Sequence, residues 1–518
     1  MSQHIMLMGT SSHVGKSIIT TALARIFFRE GRSVAPFKAQ NMALNSYVTL
    51  DGREMGRAQV AQAEAAGLAP DVDMNPVLLK PTGEAESQVI INGRPIGNMS
   101  AREYHKGYSL HAFEAVKEAL ARLEDKYDTL VIEGAGSPAE INLKADDIVN
   151  MRVAKYLHAP VLLIADIDRG GSLASLVGTL ELLDEDERAL VKGLVINKFR
   201  GDVSLFQPAI DFLEQKTGKP VLGVVPYVTQ LGIDEEDSVS LEDKGTGAGI
   251  AAADKINIAV IETPKISNFT DFDSLAAEPD VALYYVRDIS ELGQPDLIML
   301  PGSKNTVEDL LFLRNHGFEA ALKEMHSRGV PVIGICGGYQ MLGEYIYDSE
   351  HSESSYGDIE GLGLLPMKTE FGSATDKLTT QVKADSPGFT FLGQEIADTD
   401  LSGYEIHMGR AYFPEGAVHP FHIKERSAQP VDKWDGLVNE DGSIMGSYIH
   451  GIFDNDSYRR QILNALRARK GLSPLGPQRN ARAEKEKAYE RLADTVRRTL
   501  DIDKVERIMQ EMEAEARA

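Results

Sequence analysis

The single cysteine of the 518-residue chain, Cys336, lies in the sequence Gly334-Ile-Cys-Gly-Gly338, directly after an apolar run. Flanking glycines allow a sharp turn from strand to helix, and the N-terminus of a following helix favours the thiolate form of cysteine. A lone cysteine is by itself more often a small buried apolar residue. The strand–turn–helix context reverses that interpretation and predicts a nucleophile at the end of a strand.

His450 is the predicted base for this thiol, because the segment Gly446–Phe453 again carries an apolar run into a turn. Attack on a carbonyl also needs backbone N–H groups that converge on the developing oxyanion. Gly302 and Ser303, at another strand-to-turn junction, and Gly337, next to the cysteine, are predicted to supply them.

A glycine-rich loop near the N-terminus predicts a phosphate site, since it follows an apolar run and opens an amphipathic helix. Backbone N–H groups in such a loop bind phosphate oxygens, its lysine reaches the β- and γ-phosphates, and its hydroxyl ligates Mg²⁺. ATP and Mg²⁺ are therefore the predicted cofactors. The predicted contacts are Gly9, Thr10, Gly15, Lys16 and Ser17, with Thr10 where a glycine is more usual.

Glu133 follows the apolar run Thr129–Ile132. Open α/β sheets bind ligands beyond the carboxyl ends of their strands, and a carboxylate there suits Mg²⁺. Glu133 is therefore the predicted second metal ligand beside Ser17, and the alternative is an ordinary turn glutamate.

Short apolar runs alternate with amphipathic stretches through both halves of the chain, which predicts mainly parallel sheets covered by helices. The fold class is therefore α/β, with two doubly wound domains and a C-terminal helical tail. The predicted strands are Ile5–Met8, Thr129–Ile132, Val161–Ile164, Gly193–Ile196, Val221–Val225, Ile256–Ile261, Leu297–Leu300 and Val330–Ile335. The predicted domains are residues 1–228 and 252–458, with a polar linker over 229–251 and a helical extension over 459–518.

Helical spacing of apolar residues predicts helices over Ile18–Phe28 and Val307–Arg328. Thr306 and Asp309 resemble a capping box at the start of the second helix. Two apolar stripes in the tail predict helices packed on the rest of the protein. These stripes are Tyr489, Leu492, Val496 and Leu500, then Val505, Ile508, Met509 and Met512.

The composition excludes several classes of protein. With 54 basic and 78 acidic residues, the formal net charge is −24, which leaves no basic surplus for binding nucleic acid. One cysteine excludes an internal disulfide framework. No apolar run approaches the roughly 18 residues that span a bilayer, and Met1–Met8 lacks the features of a signal peptide. We expect a soluble, cytoplasmic protein that binds neither nucleic acid nor membrane.

The phosphate loop resembles that of dethiobiotin synthetase, whose relatives use ATP to phosphorylate a carboxylate. By that resemblance Asn197, which also follows an apolar strand, is expected to contact the adenine.

The turns that carry Gly302, Cys336 and His450 are similar, in their order along the chain, to those of class I glutamine amidotransferases. The likeness also favours His450 over His407 as the base. It departs at Ile452, where the usual triad has a glutamate, so the group that orients His450 is left open. The cobalamin-type branch of that superfamily is similar in lacking this glutamate.

Several longer segments resemble the cobyric acid synthase family, and together they cover the chain from Gly9 to about Phe453. They are Pro36–Ser46, Gly56–Gln62, Asn75–Lys80, Glu133–Asn142, Ile266–Asp273 and Gly403–Arg410. The resemblance implies that glutamine and ATP-Mg²⁺ are used to amidate the b, d, e and g side chains of adenosylcobyrinic acid a,c-diamide, giving adenosylcobyric acid. The implied substrates are this corrinoid, L-glutamine and ATP.

Positive charges in the N-terminal loops of this acidic chain independently indicate an anionic substrate, because local cations focus a polycarboxylate at a cleft. These residues are Lys38, Arg57, Lys80 and Arg94, and each is alternatively a scattered surface charge. Lys38 and Lys80 are the predicted substrate contacts. The segments Ser267–Asp273 and Tyr404–His407 are predicted to face the large ring.

Other functions share parts of this pattern. The sister cobyrinic acid a,c-diamide synthases have both domains, and the Pro36–Ser46 segment favours the first family over them. Partitioning-type ATPase switches share a related nucleotide loop, but they need no cysteine–histidine pair. A corrinoid-binding module without catalysis is a remoter alternative.

Overall fold

The computed structural model describes residues 2–83, 85–228, 232–233, 253–373, 376–477 and 479–517. Apart from 232–233, the predicted linker over 229–251 lies outside the described residues. Two mainly parallel sheets, one in each half of the chain, confirm the predicted α/β class. None of the described helices combines the length and the apolar character needed to cross a membrane.

The first sheet is entirely parallel, and the phosphate loop leaves one of its central strands. Its strands in spatial order are Val221–Pro226, Val191–Phe199, Val161–Asp166, Gln3–Gly9, Thr129–Glu133 and Val34–Phe37. Met6 and Met8 belong to the apolar core on one face, and Ile5 and Leu7 to the core on the other. Burial on both faces explains why these strands are continuous apolar runs.

Helices cover both faces of the first sheet, and a smaller sheet and a hairpin extend from its edge. The helices are Lys16–Arg29, Arg57–Ala65, Ser109–Lys126, Met151–Leu157, Ser172–Leu182, Glu185–Leu190 and Gln207–Thr217. The smaller sheet comprises Gln40–Met42, Val77–Pro81, Glu86–Ile91 and Arg94–Ser100, and the hairpin pairs Ser46–Val48 with Glu54–Gly56.

The second sheet repeats the parallel design and ends in one antiparallel strand. Its strands in spatial order are Val281–Val286, Ile256–Ile261, Leu297–Leu300, Val332–Ile335, Ile444–Ser447 and Leu437–Val438. The cysteine follows one of the central strands, and the histidine follows the neighbouring strand. Paired parallel strands therefore bring the two residues to the same edge of the sheet.

The predicted helix Val307–Arg328 is in fact two helices, Thr306–Asn315 and Phe318–Ser327. The chain breaks at Gly317, whose φ of 79° lies in the left-handed region. The predicted capping box is also wrong. Asn305 is the cap, because its side chain accepts the N–H of Glu308, and Asp309 binds elsewhere.

The second half also contains two further sheets, mostly antiparallel, that the sequence analysis does not predict. One sheet comprises Leu378–Phe391, Gln394–His407, Phe421–Arg426 and Gln429–Asp435, and another comprises Tyr345–Tyr347, Ile359–Glu360, Lys368–Glu370 and Arg410–Tyr412. A two-stranded ladder pairs Ile266–Ser267 with Gly302–Ser303. The remaining helices of this half are Asp273–Ala276, Gly337–Leu342 and Asp456–Arg469.

The C-terminal tail packs on the first half of the protein, although it follows the second half in sequence. Its helices are Ala481–Thr499 and Ile502–Arg517, and both predicted apolar stripes are buried. Gly223 lies so close to the tail that a β-carbon there would be 2.3 Å from the Thr499 carbonyl oxygen. The predicted boundary between residues 458 and 459 falls inside the helix Asp456–Arg469.

The two halves meet where the hairpin Ser46–Val48 lies against the long strand Gln394–His407. Val48 forms a buried apolar cluster with Tyr404 and Ile406. The Thr379 hydroxyl donates to the Gly52 carbonyl at 2.8 Å across the same boundary. The first half thus contributes a hairpin to the neighbourhood of the cysteine.

Leu492 tests whether the tail is part of the folded first half. It is 1% exposed in the core beside the helix Lys16–Arg29. We predict that Leu492→Ala lowers the free energy of unfolding by about 2–5 kcal/mol, because it leaves a cavity in a packed core. Guanidinium unfolding followed by circular dichroism measures the change. Leu205→Ala, at a leucine that is 81% exposed, is the control and should stay within about 0.5 kcal/mol. Equal losses in both variants would contradict tail packing.

Candidate active site

Cys336 sits on a strained turn between the strand Val332–Ile335 and a short helix, with φ 51° and ψ −108°. Gly334 and Gly338, on either side of the cysteine, must be glycine because neighbouring backbone lies too close for a side chain. A β-carbon on Gly338 would lie 2.2 Å from the Leu300 carbonyl oxygen, and one on Gly334 would lie 2.7 Å from the Gly338 carbonyl carbon. Strain of this kind is kept where the surroundings enforce it, and it presents a nucleophile at a strand end.

Asp271 orients His450, a role that the sequence analysis leaves open. The Asp271 carboxylate lies 2.7 Å from His450 Nδ1, and its other oxygen accepts the N–H of Gly451 at 2.8 Å. Ile452, at the position of the usual glutamate, is buried with the apolar core. The carboxylate therefore comes from a short 3₁₀ helix, Phe269–Phe272, in the segment Ser267–Asp273 that was predicted to face a ring substrate.

The charge of Asp271 sets the protonation of His450. Burial lowers the pKa of His450, but the charges of Asp271 and Cys336, with hydrogen bonds to both, outweigh burial and raise that pKa to about 10. The imidazole is therefore protonated at neutral pH. An imidazolium next to a cysteine stabilises the thiolate, so the three residues form a charge-paired nucleophile.

The predicted oxyanion donors lie around this nucleophile. The pairing of Gly302–Ser303 with Ile266–Ser267 brings the turn to the histidine, since a β-carbon on Gly302 would lie 3.1 Å from His450 Cε1. A β-carbon on Gly337 would lie 2.8 Å from the Ser303 nitrogen. Asp309 holds the turn by accepting the Ser303 hydroxyl at 2.6 Å. Oxyanion binding by these groups stays a prediction.

The alternative base, His407, is engaged differently. Its ring stacks on Tyr448 with a centroid distance of 3.8 Å, and its Nε2 lies 3.6 Å from a Glu405 oxygen. Glu405 is itself bound by Arg426. The contacts with Asp271 and with the thiol belong to His450, which supports the choice made from the sequence.

A cavity opens beside the cysteine and reaches across to the first half of the protein. The charged groups on its wall are Lys80, Lys304, Glu353 and Lys377, and its polar groups include Asn268, Ser303 and Gln340. Lys80, predicted to contact the substrate, is thus placed at the cysteine site rather than at the phosphate loop.

Glu54, from the hairpin of the first half, binds two of these lysines. It accepts a hydrogen bond from Lys80 Nζ at 2.9 Å and pairs with Lys377 through its other oxygen. Burial raises the pKa of Glu54, but the lysines outweigh it and lower that pKa to about 2. Burial lowers the pKa of Lys377 to about 8, against the attraction of Glu54. One buried carboxylate therefore joins lysines from both halves.

The phosphate loop has the form that the sequence predicts. Gly15 adopts φ 96° at the start of the helix Lys16–Arg29. Lys16 Nζ donates to the carbonyl oxygens of Ser11 at 3.1 Å and of Gly136 at 3.2 Å, so its ammonium lies across the mouth of the loop. Gly9 must be small, because a β-carbon there would lie 2.9 Å from Lys16 Nζ.

Glu133 is the hub of this second site. One oxygen accepts the Ser17 hydroxyl at 2.8 Å and Lys38 Nζ at 3.1 Å, and the other accepts the Gln62 amide at 2.6 Å. A hydroxyl and a carboxylate side by side are the oxygen donors that Mg²⁺ takes together with phosphates. Ser17 and Glu133 therefore fit the predicted metal, and Lys38 lies beside them, while its contact with a substrate stays a prediction.

Asn197 and Thr10 both brace the loop. The Asn197 amide donates to the Val14 carbonyl at 2.7 Å and packs against Gly15. The Thr10 N–H donates to the Ile164 carbonyl at 2.9 Å. Contact of Asn197 with adenine stays a prediction.

The other two positive charges singled out in the sequence differ in burial. Arg57 is buried, with its guanidinium 4.9 Å from the Tyr47 ring centroid, whereas Arg94 is exposed on an accessory strand. Tyr404, predicted to face a ring substrate, stacks instead on His450 with a centroid distance of 5.2 Å.

Comparisons with known proteins match each half of the chain to a family model and nearly the whole chain to curated relatives. Family models match residues 257–458 as a CobB/CobQ-like glutamine amidotransferase domain and residues 5–240 as a CobQ/CobB/MinD/ParA nucleotide binding domain. The cobyric acid synthase of Moorella thermoacetica is 55% identical over 513 residues, which cover 98% of each chain. That of Pelotomaculum thermopropionicum is 53% identical over 98% of this chain and 96% of its own. That of Desulfitobacterium hafniense is 52% identical over 98% and 97%.

Asp271→Asn tests the charge-paired nucleophile. Without the negative charge the pKa of His450 falls, less imidazolium is present, and the thiolate is less stable at neutral pH. We predict that iodoacetamide alkylates Cys336 about tenfold more slowly at pH 7, the change in rate that corresponds to losing about 1.4 kcal/mol of stabilisation. Because the chain has one cysteine, incorporated label reports this residue directly.

Asp432→Asn is the matched control for this experiment. It removes the partner of another histidine, His422, at an exposed carboxylate 2.6 Å away. Its alkylation rate should equal that of the unsubstituted chain. An unchanged rate in Asp271→Asn would contradict the assigned role.

Proposed function

The chain belongs to the cobyric acid synthase family, and we propose that its two sites act in sequence to convert side-chain carboxylates of a corrinoid into carboxamides. Glutamine supplies the nitrogen at Cys336, and ATP activates the acceptor at the phosphate loop. The observation that carries the proposal is that one chain holds both a thiol–imidazole–carboxylate array and a phosphate loop with Glu133 bound to Ser17. The hairpin that bears Glu54 connects the two halves that contain them.

At the first site the thiolate of Cys336 attacks the side-chain amide carbon of glutamine. Backbone N–H groups of Gly302, Ser303 and Gly337 stabilise the oxyanion of the tetrahedral intermediate. The imidazolium of His450 donates its proton to the departing nitrogen, which leaves as ammonia and gives a glutamyl thioester. The neutral imidazole then takes a proton from water, whose attack releases glutamate and restores the thiolate.

At the second site a carboxylate oxygen of the acceptor attacks the γ-phosphorus of ATP and releases ADP. Lys16 and Lys38 offset negative charge on the phosphates, and the backbone of the loop holds their oxygens. Ser17 and Glu133 would hold Mg²⁺, which when bound neutralises charge on the phosphate oxygens. Ammonia displaces phosphate from the acyl phosphate, loses a proton and leaves the amide.

Joining both sites in one protein has a chemical reason. Ammonia in water near neutral pH is mostly ammonium, which has no lone pair for attack on a carbonyl. A closed boundary between the halves keeps water from the nitrogen. The docking of the hairpin Ser46–Val48 against Tyr404 and Ile406 supports such a closed boundary.

The acceptor is tested by product mass. We predict that adenosylcobyrinic acid a,c-diamide, glutamine and ATP give the product amidated at the b, d, e and g positions. Each conversion exchanges a hydroxyl for an amino group, so mass spectrometry counts the amides formed. Cobyrinic acid, offered separately, should not be converted at its a and c positions. Conversion there alone would identify the sister a,c-diamide synthase, and no amidation of either corrinoid would overturn the proposal.

Cys336→Ala separates the two sites. We predict that it abolishes glutamine-dependent amidation, because no thioester forms, while high external ammonium still supports amidation at the phosphate site. Product formation with each nitrogen source is the measurement. Loss of both activities in a folded variant would count against separate sites.

Lys16→Ala gives the complementary result. Without the ammonium of Lys16, the charge of the β- and γ-phosphates is not offset. We therefore predict at least a 100-fold loss of amidation from either nitrogen source. A loss on the order of 100-fold is typical when one electrostatic contact to a transition state is removed. Glutamine hydrolysis should be partly retained, as measured by glutamate release. Lys144→Ala, at a lysine paired with Asp184 outside the loop, is the control and should keep its activity.

A further inference from the structure

The cavity beside Cys336 carries more charge than amide hydrolysis uses. Three ammonium groups, those of Lys80, Lys304 and Lys377, face two carboxylates, those of Glu54 and Glu353. Neither the attack on an amide nor the release of ammonia needs these lysines. Charges withdrawn from water are costly unless they are paired, so a surplus cation in such a place indicates an anion that binds there.

Lys304 is the surplus cation. Glu54 compensates Lys80 and Lys377, and among the described residues Lys304 has no ion pair or hydrogen bond to its ammonium. The charges of Glu353, Lys80, Glu54 and Cys336 all act on it, which places it among them. Burial lowers the pKa of Lys304, as expected for an ammonium without a close partner.

Glu353 provides an opposite charge on the same wall. One of its oxygens accepts the N–H of Thr306 at 2.8 Å, which fixes the carboxylate at the start of a helix. Both it and Lys304 line the cavity that contains the thiol. A ligand with an amide at one end and a carboxylate and an ammonium at the other would therefore meet a complementary group at each position.

We propose that this charged wall is the subsite for the amino-acid end of glutamine, with Lys304 and Lys377 binding its α-carboxylate and Glu353 its α-ammonium. This inference rests on the proposed function, and it identifies the residues that select glutamine as the nitrogen donor. Glu54 and Lys80 act as positioning residues, because Glu54 holds the ammonium of Lys377 from the opposite half. The glutamine site is then complete only when the half that binds ATP is docked.

Lys304→Met tests the α-carboxylate contact at the lysine that, among the described residues, forms no ion pair between the halves. We predict that it raises the KM for glutamine about 10- to 100-fold, the cost of losing one charged hydrogen bond, with little change in kcat. A purely structural role would lower kcat as well. Lys383→Met is the control, since Lys383 lies exposed on the strand Leu378–Phe391 and bonds Ser402 at 2.8 Å. Its KM should be unchanged.

Two alkylating agents provide a readout that does not depend on turnover. The glutamine analogue 6-diazo-5-oxo-L-norleucine keeps the α-carboxylate and α-ammonium, whereas iodoacetamide has neither. We predict that Lys304→Met slows alkylation of Cys336 by the first about 10- to 100-fold and leaves the second rate unchanged. Equal slowing of both reagents would mean a disturbed thiol and would overturn the subsite.

Glu353→Gln tests the other end of the ligand. We predict a loss in kcat/KM for glutamine but not for glutaramate, which lacks the α-amino group. An equal loss for both would overturn the assigned contact. If the unsubstituted chain hydrolyses no glutamine, the proposed function fails and this inference fails with it. Hydrolysis with an unchanged KM in Lys304→Met overturns the inference alone.

Discussion

The shared carboxylate of Glu54 is the interaction on which the arrangement of the two sites depends. It is fully buried and bound to one lysine from each half, Lys80 and Lys377. Removing one partner from a buried ion pair costs about 3–5 kcal/mol, because the remaining charge is left without compensation. The halves therefore have one favourable docking, in which the hairpin of the first half forms part of the wall around Cys336.

This docking places the two sites at opposite ends of one short segment. Lys38 binds the glutamate hub of the phosphate site, and Ser46 accepts a hydrogen bond from Lys80 beside the cysteine cavity. Buried amides connect the same regions, since Asn75 donates to the Lys38 carbonyl and accepts the N–H of Gly56, close to Glu54. These hydrogen bonds connect the surroundings of the phosphate site to those of the cysteine cavity.

The site around Cys336 also shows that residues from different positions in a chain can supply the same carboxylate–histidine contact. The usual amidotransferase glutamate is replaced by Ile452, yet the histidine keeps a carboxylate partner at 2.7 Å because the short 3₁₀ helix Phe269–Phe272 supplies Asp271. What the chemistry requires is a negative charge on the far side of the imidazole, which fixes its orientation and favours the imidazolium. The position in sequence from which that charge comes is free to vary.

The sequence by itself determined the features that local chemistry controls: the apolar strands, the phosphate loop, the glycine-flanked cysteine and the apolar stripes of the tail. These depend on residues within a few positions of one another. Only the tertiary structure decided that Asp271, 179 residues from His450, completes the triad, and that Lys377 meets Glu54 from the other half. It also placed the tail on the first half and broke a predicted helix at Gly317. Side-chain partners between distant segments follow from how sheets and hairpins pack, and spacing along one chain carries no record of that packing.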